Sequence, residues 1–210
     1  MNFTGITSII AAIITAIEAI ILGYLQYNQY TKNKLTDQKI KEMNDKLEKR
    51  KQEEQEAISR IYGYLWSLLI EVDVDRVLII QPHPPHDKHL ISATLEAPRK
   101  GTAPAKPHLK NVEMSEVAAF VGDISKRTFI FYPERKACKD LTIRAIMDLS
   151  GAQTMAIYRL EDMNNHWCGS LCVDWTHKKS DVKMEYLKTK MADTALAIQH
   201  ILPPYEGTIK

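Results

Sequence analysis

The most constraining feature of the sequence is a nearly uncharged segment close to the N-terminus. Between Ile6 and Leu25, fifteen of twenty residues are Ile, Ala, Leu or Tyr, and the one charged residue is Glu18. A helix of this length spans about 30 Å, the thickness of a bilayer core. No Lys or Arg precedes the run, which argues against a cleaved signal peptide. The sequence therefore predicts a retained transmembrane anchor in residues 1–31; the alternatives are a helix buried in a protein assembly and one lying on a membrane surface.

The residues that flank this segment predict its orientation. The N-terminal flank MNFTG carries no basic side chain, whereas lysines follow the apolar run at positions 32, 34, 39 and 41. By the positive-inside rule the remainder of a single-pass chain then lies in the cytoplasm. The three cysteines, an odd number, also fit a reducing compartment better than an exported protein.

Small residues recur along one face of the predicted anchor at spacings of three and four. Such a stripe lets transmembrane helices approach closely. Glu18 lies on a neighbouring face and is costly in lipid while ionised, so it should meet another helix or water. The residues predicted to contact the membrane or a second helix are Ala12, Ala16, Glu18, Ala19 and Gly23.

Residues 32–56 predict a charged helical stalk. They contain eight basic and seven acidic residues, no Gly and no Pro, with several acids placed four residues before a base. Ile40 and Leu47 fit one core position of a heptad repeat and Met43 fits the other, but Arg50 and Glu54 interrupt the pattern. A short coiled coil and a simple solvated stalk therefore both remain open.

The rest of the chain, residues 57–210, predicts one α+β domain. Short apolar or alternating segments indicate about five strands, and amphipathic segments indicate a helix at each end of the domain and two between. The predicted strands are 75–81, 88–96, 127–132, 153–160 and 166–176, and the later helices are 113–122, 137–149 and 181–202.

The order of these elements and four motifs resemble a GAF domain, a small sensory module related to PAS. The motifs are DVDRVLIIQ, GAQTMAIYRL, WCGSLCVDW and VKMEYLKTKMADTALAIQHIL, and the resemblance covers roughly residues 56–202. It implies an antiparallel sheet with the terminal helices on one face and a ligand-sized pocket on the other. It also implies dimerisation through the terminal helices.

The ligand of such a pocket is not evident from the sequence, and the cofactor is unknown. The residues of cyclic-nucleotide GAF domains are not visible, and Lys139 stands where bilin-binding GAF domains have a His after the linking Cys. A locally basic stretch is compatible with a small anionic ligand, but a solvated or membrane-facing patch is the simpler interpretation. The resulting candidate pocket comprises Phe120, Phe129, Phe131, Arg135, Cys138, Lys139 and Tyr158.

The cysteines and histidines are weaker candidates for reactive or metal-binding residues. Basic neighbours would favour a Cys138 thiolate, but a core or helix-surface thiol is the simpler interpretation. Cys168 and Cys172 are expected on one face of a strand, about 13 Å apart, too far to share a metal ion. The loop containing His83, His86 and His89 is expected to be a solvated strand connection, so no metal site is predicted.

These observations favour a protein that senses or assembles. A net charge of +2 implies no nucleic-acid partner, and about 150 residues leave no room for a separate catalytic domain. The predicted function is a membrane-anchored cytoplasmic GAF-like sensory or regulatory module, without an output domain of its own, acting through a homo-oligomer or a recruited protein partner. The alternative is a non-catalytic scaffold subunit of a bacterial membrane complex or phage assembly with a degenerate pocket. An open pocket would favour the sensor, and a pocket filled by its own side chains would favour the scaffold.

Overall fold

A computed structural model of the protein describes residues 3–85, 87–177 and 183–207, with the side chains of 3–15 and 35 excepted. The chain divides into two compact units, one ending at Glu53 and the other beginning at Glu54. The first helix, α1, spans Phe3–Glu71 and contributes to both units.

The N-terminal unit consists of α1 alone. Apart from Thr31, every side chain described between 16 and 53 is exposed. In the part of the chain that the structure describes, no helix is long and apolar enough to cross a membrane. Half of the apolar run, including Ala12, lies outside the residues whose side chains are described, so the transmembrane anchor stays a prediction.

The second unit is built on a six-stranded antiparallel sheet with the strand order β3-β2-β1-β6-β5-β4. The α+β class is therefore confirmed, and five of the strands match the predicted ones. The sequence missed β3, because two paired residues are too short to show a period. The strands are β1 Arg76–His83, β2 Leu90–Pro98, β3 Val112–Glu113, β4 Phe129–Tyr132, β5 Thr154–Glu161 and β6 Trp167–Trp175.

The terminal helices cover one face of this sheet. Helix α4 spans Met184–Gln199, and its apolar stripe packs with the last turns of α1 over β1, β5 and β6. Side chains at alternate strand positions point to this face because successive residues of a strand project to opposite sides. The core here includes Ile61, Leu65, Leu68, Val77, Ile79, Leu171, Val173, Trp175, Leu187, Met191 and Ile198.

The other face is covered by two short helices and a loop. Helix α2 spans Ala118–Lys126 and α3 spans Leu141–Ser150. The side chain of Asp140 caps α3 by accepting hydrogen bonds from the backbone N–H groups of Thr142 and Ile143. It also accepts one from the N–H of Phe120 at 3.3 Å, which joins α2 to α3.

A buried cluster of charges connects the sheet to this second layer, which consists of α2, α3 and the loop after β2. Arg76 on β1 is fully buried, and its Nε and Nη2 donate to the two carboxylate oxygens of Asp174 on β6 at 2.9 and 3.0 Å. Glu96 on β2 lies 3.6 Å from the same Nε. The Nη1 donates to the carbonyl oxygens of Ala103 and Ser150, so one side chain connects three strands, the loop after β2 and the end of α3.

We expect Asp174 to make stability depend on pH. Burial raises the pKa of its carboxyl group from the ordinary 3.8 to about 6, so the folded state holds this proton more tightly than the unfolded state does. The stabilisation is complete below about pH 4 and is lost as the pH rises through about 6, with about 3 kcal/mol as its upper bound. Asp174→Asn removes the titrating group and keeps an acceptor for Arg76.

Urea unfolding of the wild type and of D174N across this pH range measures the effect. The difference between their free energies of unfolding, wild type minus variant, should fall as the pH rises. A difference that grows with pH would contradict the direction argued for Asp174.

Candidate functional site

The face that the resemblance predicted to hold a ligand pocket is filled by the protein's own side chains. Among the residues that the structure describes, the cavity between the sheet, α2 and α3 measures about 30 Å³. Pockets that bind small molecules usually measure about 300–1,000 Å³. The cavity is therefore little larger than a bound water would need. Its walls are Leu78, Ile80, Ala105, Leu109, Phe120, Ile143, Ile146, Met147, Ser150, Ala152, Met155 and Asp174.

The structure separates the aromatic residues that the sequence grouped into one pocket. Phe120 is buried in the filled face, whereas Phe129, Phe131 and Tyr158 pack against the opposite core, beneath the terminal helices. Strand alternation explains the difference, because Phe129 is opposite Tyr158 in the register and the intervening Ile130 points to the filled face.

The basic residues of the candidate pocket do not converge either. Arg135 forms an ion pair with Asp148 on α3, and Lys139 is exposed. Among the seven predicted pocket residues, only Phe120 and Cys138 belong to the core of the filled face. The structure does not bring these basic residues together into an anion site, and such a site stays a hypothesis.

Cys138 is a core thiol. It is fully buried, and its Sγ lies 3.8 Å from the carbonyl oxygen of Asp140, to which it donates. Burial raises the pKa of the Cys138 thiol despite the positive charge of Arg144 nearby. The basic neighbours therefore do not create a thiolate, and the simpler of the two sequence interpretations describes this residue.

The expectation that Cys168 and Cys172 share a face was wrong. The pairing of β5 with β6 shifts by one residue between Leu160 and Glu161, opposite this part of β6. Cys168 is consequently half-buried against the core beneath α4, whereas Cys172 is fully buried in the other core. Such an irregularity is invisible to a strict period of two.

His83 also departs from the sequence prediction. It is the last residue of β1 and is buried, with Nε2 at 2.8 Å from the hydroxyl oxygen of Ser92. The ring of Tyr205 packs edge-on against it at 4.9 Å. The residue therefore belongs to a packed strand end rather than a solvated loop. His86 lies outside the described residues, and in the rest of the described chain no cluster of His, Cys, Asp or Glu is arranged to hold a metal.

A cleft of about 250 Å³ lies beside this strand end, away from the filled face. Its walls come from the end of β1, the connection to β2, the β5–β6 turn and the segment that follows α4. Sequence analysis missed it because lining residues such as Gln81 and Tyr205 are far apart along the chain. The lining residues are Gln81, Pro82, Pro85, Lys88, Asp162, Cys168, Gln199, Leu202, Pro204 and Tyr205.

The second unit has the GAF fold. The GAF domain of PixJ from Thermosynechococcus elongatus, solved in its blue-light absorbing form, aligns with a TM-score of 0.55 at 10% identity, covering 70% of this chain and 87% of that one. The GAF domain/HD domain protein from Geobacter sulfurreducens aligns with a TM-score of 0.50 at 13% identity, covering 70% and 93%. No protein-family model and no curated protein matches the sequence.

Truncation of Met147 tests how tightly the filled face is packed. Met147 on α3 is buried beside the small cavity, whereas Leu149 on the same helix is exposed. We expect Met147→Ala to lower the free energy of unfolding by about 2–5 kcal/mol because it enlarges a cavity. Leu149→Ala should change it by no more than about 0.5 kcal/mol. Urea unfolding monitored by circular dichroism measures both, and equal effects would contradict the assignment.

Alkylation should distinguish the three cysteines. Cys138 and Cys172 are fully buried, whereas Cys168 is half-buried and lines the cleft. With iodoacetamide at about pH 9, Cys168 should react first but slowly, because burial raises its pKa to about 11. The other two should react only after unfolding in urea. Peptide mass spectrometry gives the order in which the three cysteines react. Modification of Cys138 before unfolding would contradict its assignment as a buried thiol.

Proposed function

We propose that this protein is a membrane-anchored GAF-fold sensory or regulatory module of the cytoplasm that acts through self-association and a protein partner. In this proposal it carries out no catalysis and takes no ligand in the usual GAF pocket. The observation that carries the proposal is the exposure of apolar residues of α1 between Ile17 and Leu47. Its sensory part is supported by the fold that the second unit shares with the PixJ receptor domain.

Because the ligand face is filled, we expect any signal to pass through the outer surface of the module. Enlarging a cavity of about 30 Å³ to receive a ligand would require α3 or the loop after β2 to move. Arg76 opposes that movement, because its guanidinium holds Ala103 and Ser150 against the sheet. The contacts that remain available to a partner are therefore those on the outside of the module.

The N-terminal part of α1 supports anchoring. Ile17, Ile20, Ile21 and Leu22 are each at least half exposed, and such a continuous apolar surface is rarely left in water. Lipid or another helix would cover it. The small residues Ala16, Ala19 and Gly23 with Glu18 remain the proposed contact between helices in that setting.

The middle of α1 supports self-association with a second copy of the chain. Ile40, Met43 and Leu47 are each exposed by half or more and follow heptad spacing. A helix whose apolar side chains stay exposed gains no stability from packing. A second copy in parallel register would bury the same three positions, and two chains anchored in one membrane are already oriented for that pairing.

The filled face favours a second function, that of a scaffold subunit in a bacterial membrane complex or phage assembly. Native mass spectrometry of the full chain extracted in detergent separates the candidates. A homo-oligomer of variable size that co-purifies with a partner supports the regulatory module, and one fixed stoichiometry in a stable complex supports the scaffold. A monomer without any partner would contradict both.

Substitution of Leu47 tests the self-association surface. We expect Leu47→Gln to weaken the oligomer at least about tenfold, because it places a polar amide at a buried core position of the pair. Lys46→Gln introduces the same side chain at the neighbouring position outside the heptad core and should leave the oligomer unchanged. Light scattering across a dilution series in detergent measures both. Equal behaviour of the two variants would rule out this surface.

A further inference from the structure

We propose that the cleft beside the end of β1 binds a small zwitterion of the free α-amino acid class. Asp162 would receive the ammonium group of the ligand and Lys88 its carboxylate. This site lies outside the filled face and is independent of the self-association proposed above. Its lining is drawn from four segments of the second unit, so the fold itself creates the cleft.

The walls of the cleft are held in place by contacts of their own. The side-chain amide of Gln81 donates to the carbonyl oxygen of Pro203 at 2.9 Å and accepts from the hydroxyl of Thr94 at 2.7 Å. Tyr205 packs edge-on against the buried ring of His83. The segment that follows α4 is thereby fixed against β1, and the cleft exists before a ligand arrives, which reduces the ordering that binding requires.

Asp162 presents a fixed carboxylate. The backbone N–H groups of His166 and Asn164 both donate to its Oδ1, at 2.9 and 2.8 Å. These hydrogen bonds keep the pKa of Asp162 below its ordinary value, so the group is ionised at neutral pH. Its other oxygen, Oδ2, lies 3.7 Å from Nδ1 of His166, with which it forms an ion pair when that ring is protonated, and it keeps lone pairs that can accept from a ligand.

Lys88 presents a positive charge in the same cleft. Its ammonium group donates to the carbonyl oxygen of Trp167 at 3.1 Å, which leaves two of its three N–H donors for a ligand. Lys88 and Asp162 both line this cleft, so a ligand in it would meet both charges. A purely anionic ligand would be repelled by Asp162, and a purely cationic ligand would be repelled by Lys88. A zwitterion satisfies both charges at once.

The remaining walls suit a short apolar side chain. Pro82, Pro85, Leu202, Pro204 and Tyr205 contribute apolar surface around the two charges. The volume of about 250 Å³ is below the range of drug-sized ligands and matches a molecule of amino-acid size. The combination of paired charges and apolar walls is what recognises an α-amino acid with a compact hydrophobic side chain.

Calorimetric titration of the full chain in a non-ionic detergent tests the ligand class. L-leucine and L-proline should bind with a dissociation constant below about 1 mM. L-leucinamide lacks the carboxylate and N-acetyl-L-leucine lacks the ammonium, and each should bind at least about tenfold more weakly. If neither amino acid binds saturably, the proposal is overturned. Equal binding of the blocked compounds, or tighter binding of O-phosphoethanolamine as the zwitterion of a lipid headgroup, overturns it as well.

Matched variants test the two charged residues. Lys88→Met and Asp162→Asn should each weaken L-leucine binding at least about tenfold, and D162N retains an oxygen that accepts the two backbone hydrogen bonds of the turn. Lys100→Met and Glu116→Gln each remove a charge of the same sign at an exposed position outside the cleft and should bind like the wild type. The melting temperature of each variant reports folding. Folded K88M and D162N proteins that bind normally would overturn the assignment.

Cys168 provides a readout that does not depend on heat. Because its side chain lines the cleft, saturating L-leucine should slow its alkylation severalfold in the wild type and leave it unchanged in K88M. N-acetyl-L-leucine should give no protection. An alkylation rate that L-leucine leaves unchanged in the wild type would overturn the proposed position of the ligand, whatever the result of the titration.

Discussion

The bidentate pair between Arg76 and Asp174 is the interaction on which the second unit depends most. The two residues are directly opposite each other on the central strands β1 and β6. Buried charges are tolerated only when their hydrogen-bonding groups are satisfied, and Arg76 achieves this with two carboxylates and two backbone carbonyls. The loop after β2 and the end of α3 must therefore lie where their carbonyls can accept. One buried guanidinium thus determines how the second layer sits on the sheet.

The close packing of this second layer limits what the second unit can bind beneath it. In this chain the layer over the sheet is close-packed, and the space beneath it has shrunk to a cavity of about 30 Å³. The GAF fold is shared with the solved domains, but a shared fold does not transfer their ligands. The surfaces that we propose for interaction are the exposed stripe of α1 and the cleft at the end of β1. Both are outside the face that the resemblance singled out.

Much of the architecture follows from local patterns in the sequence. The strands β1, β2, β5 and β6 and the helix α4 were predicted within a few residues, because their apolar periods are long enough to be recognised. The candidate site was predicted less well. Grouping Phe129 with Phe120 ignored which side of β4 each position faces, and the irregular pairing between β5 and β6 placed Cys168 and Cys172 in different cores.

The sequence by itself determined the class of fold, the charged helix and the terminal helices, since these depend on residues close together along the chain. Only the tertiary structure decided that the ligand face is filled, that Cys138 is a buried core thiol and that Lys88 and Asp162 line one cleft. Each of these depends on residues that are distant in sequence and meet through strand pairing and packing. No period within a single segment encodes which segments will meet, and for this reason the site became visible only in three dimensions.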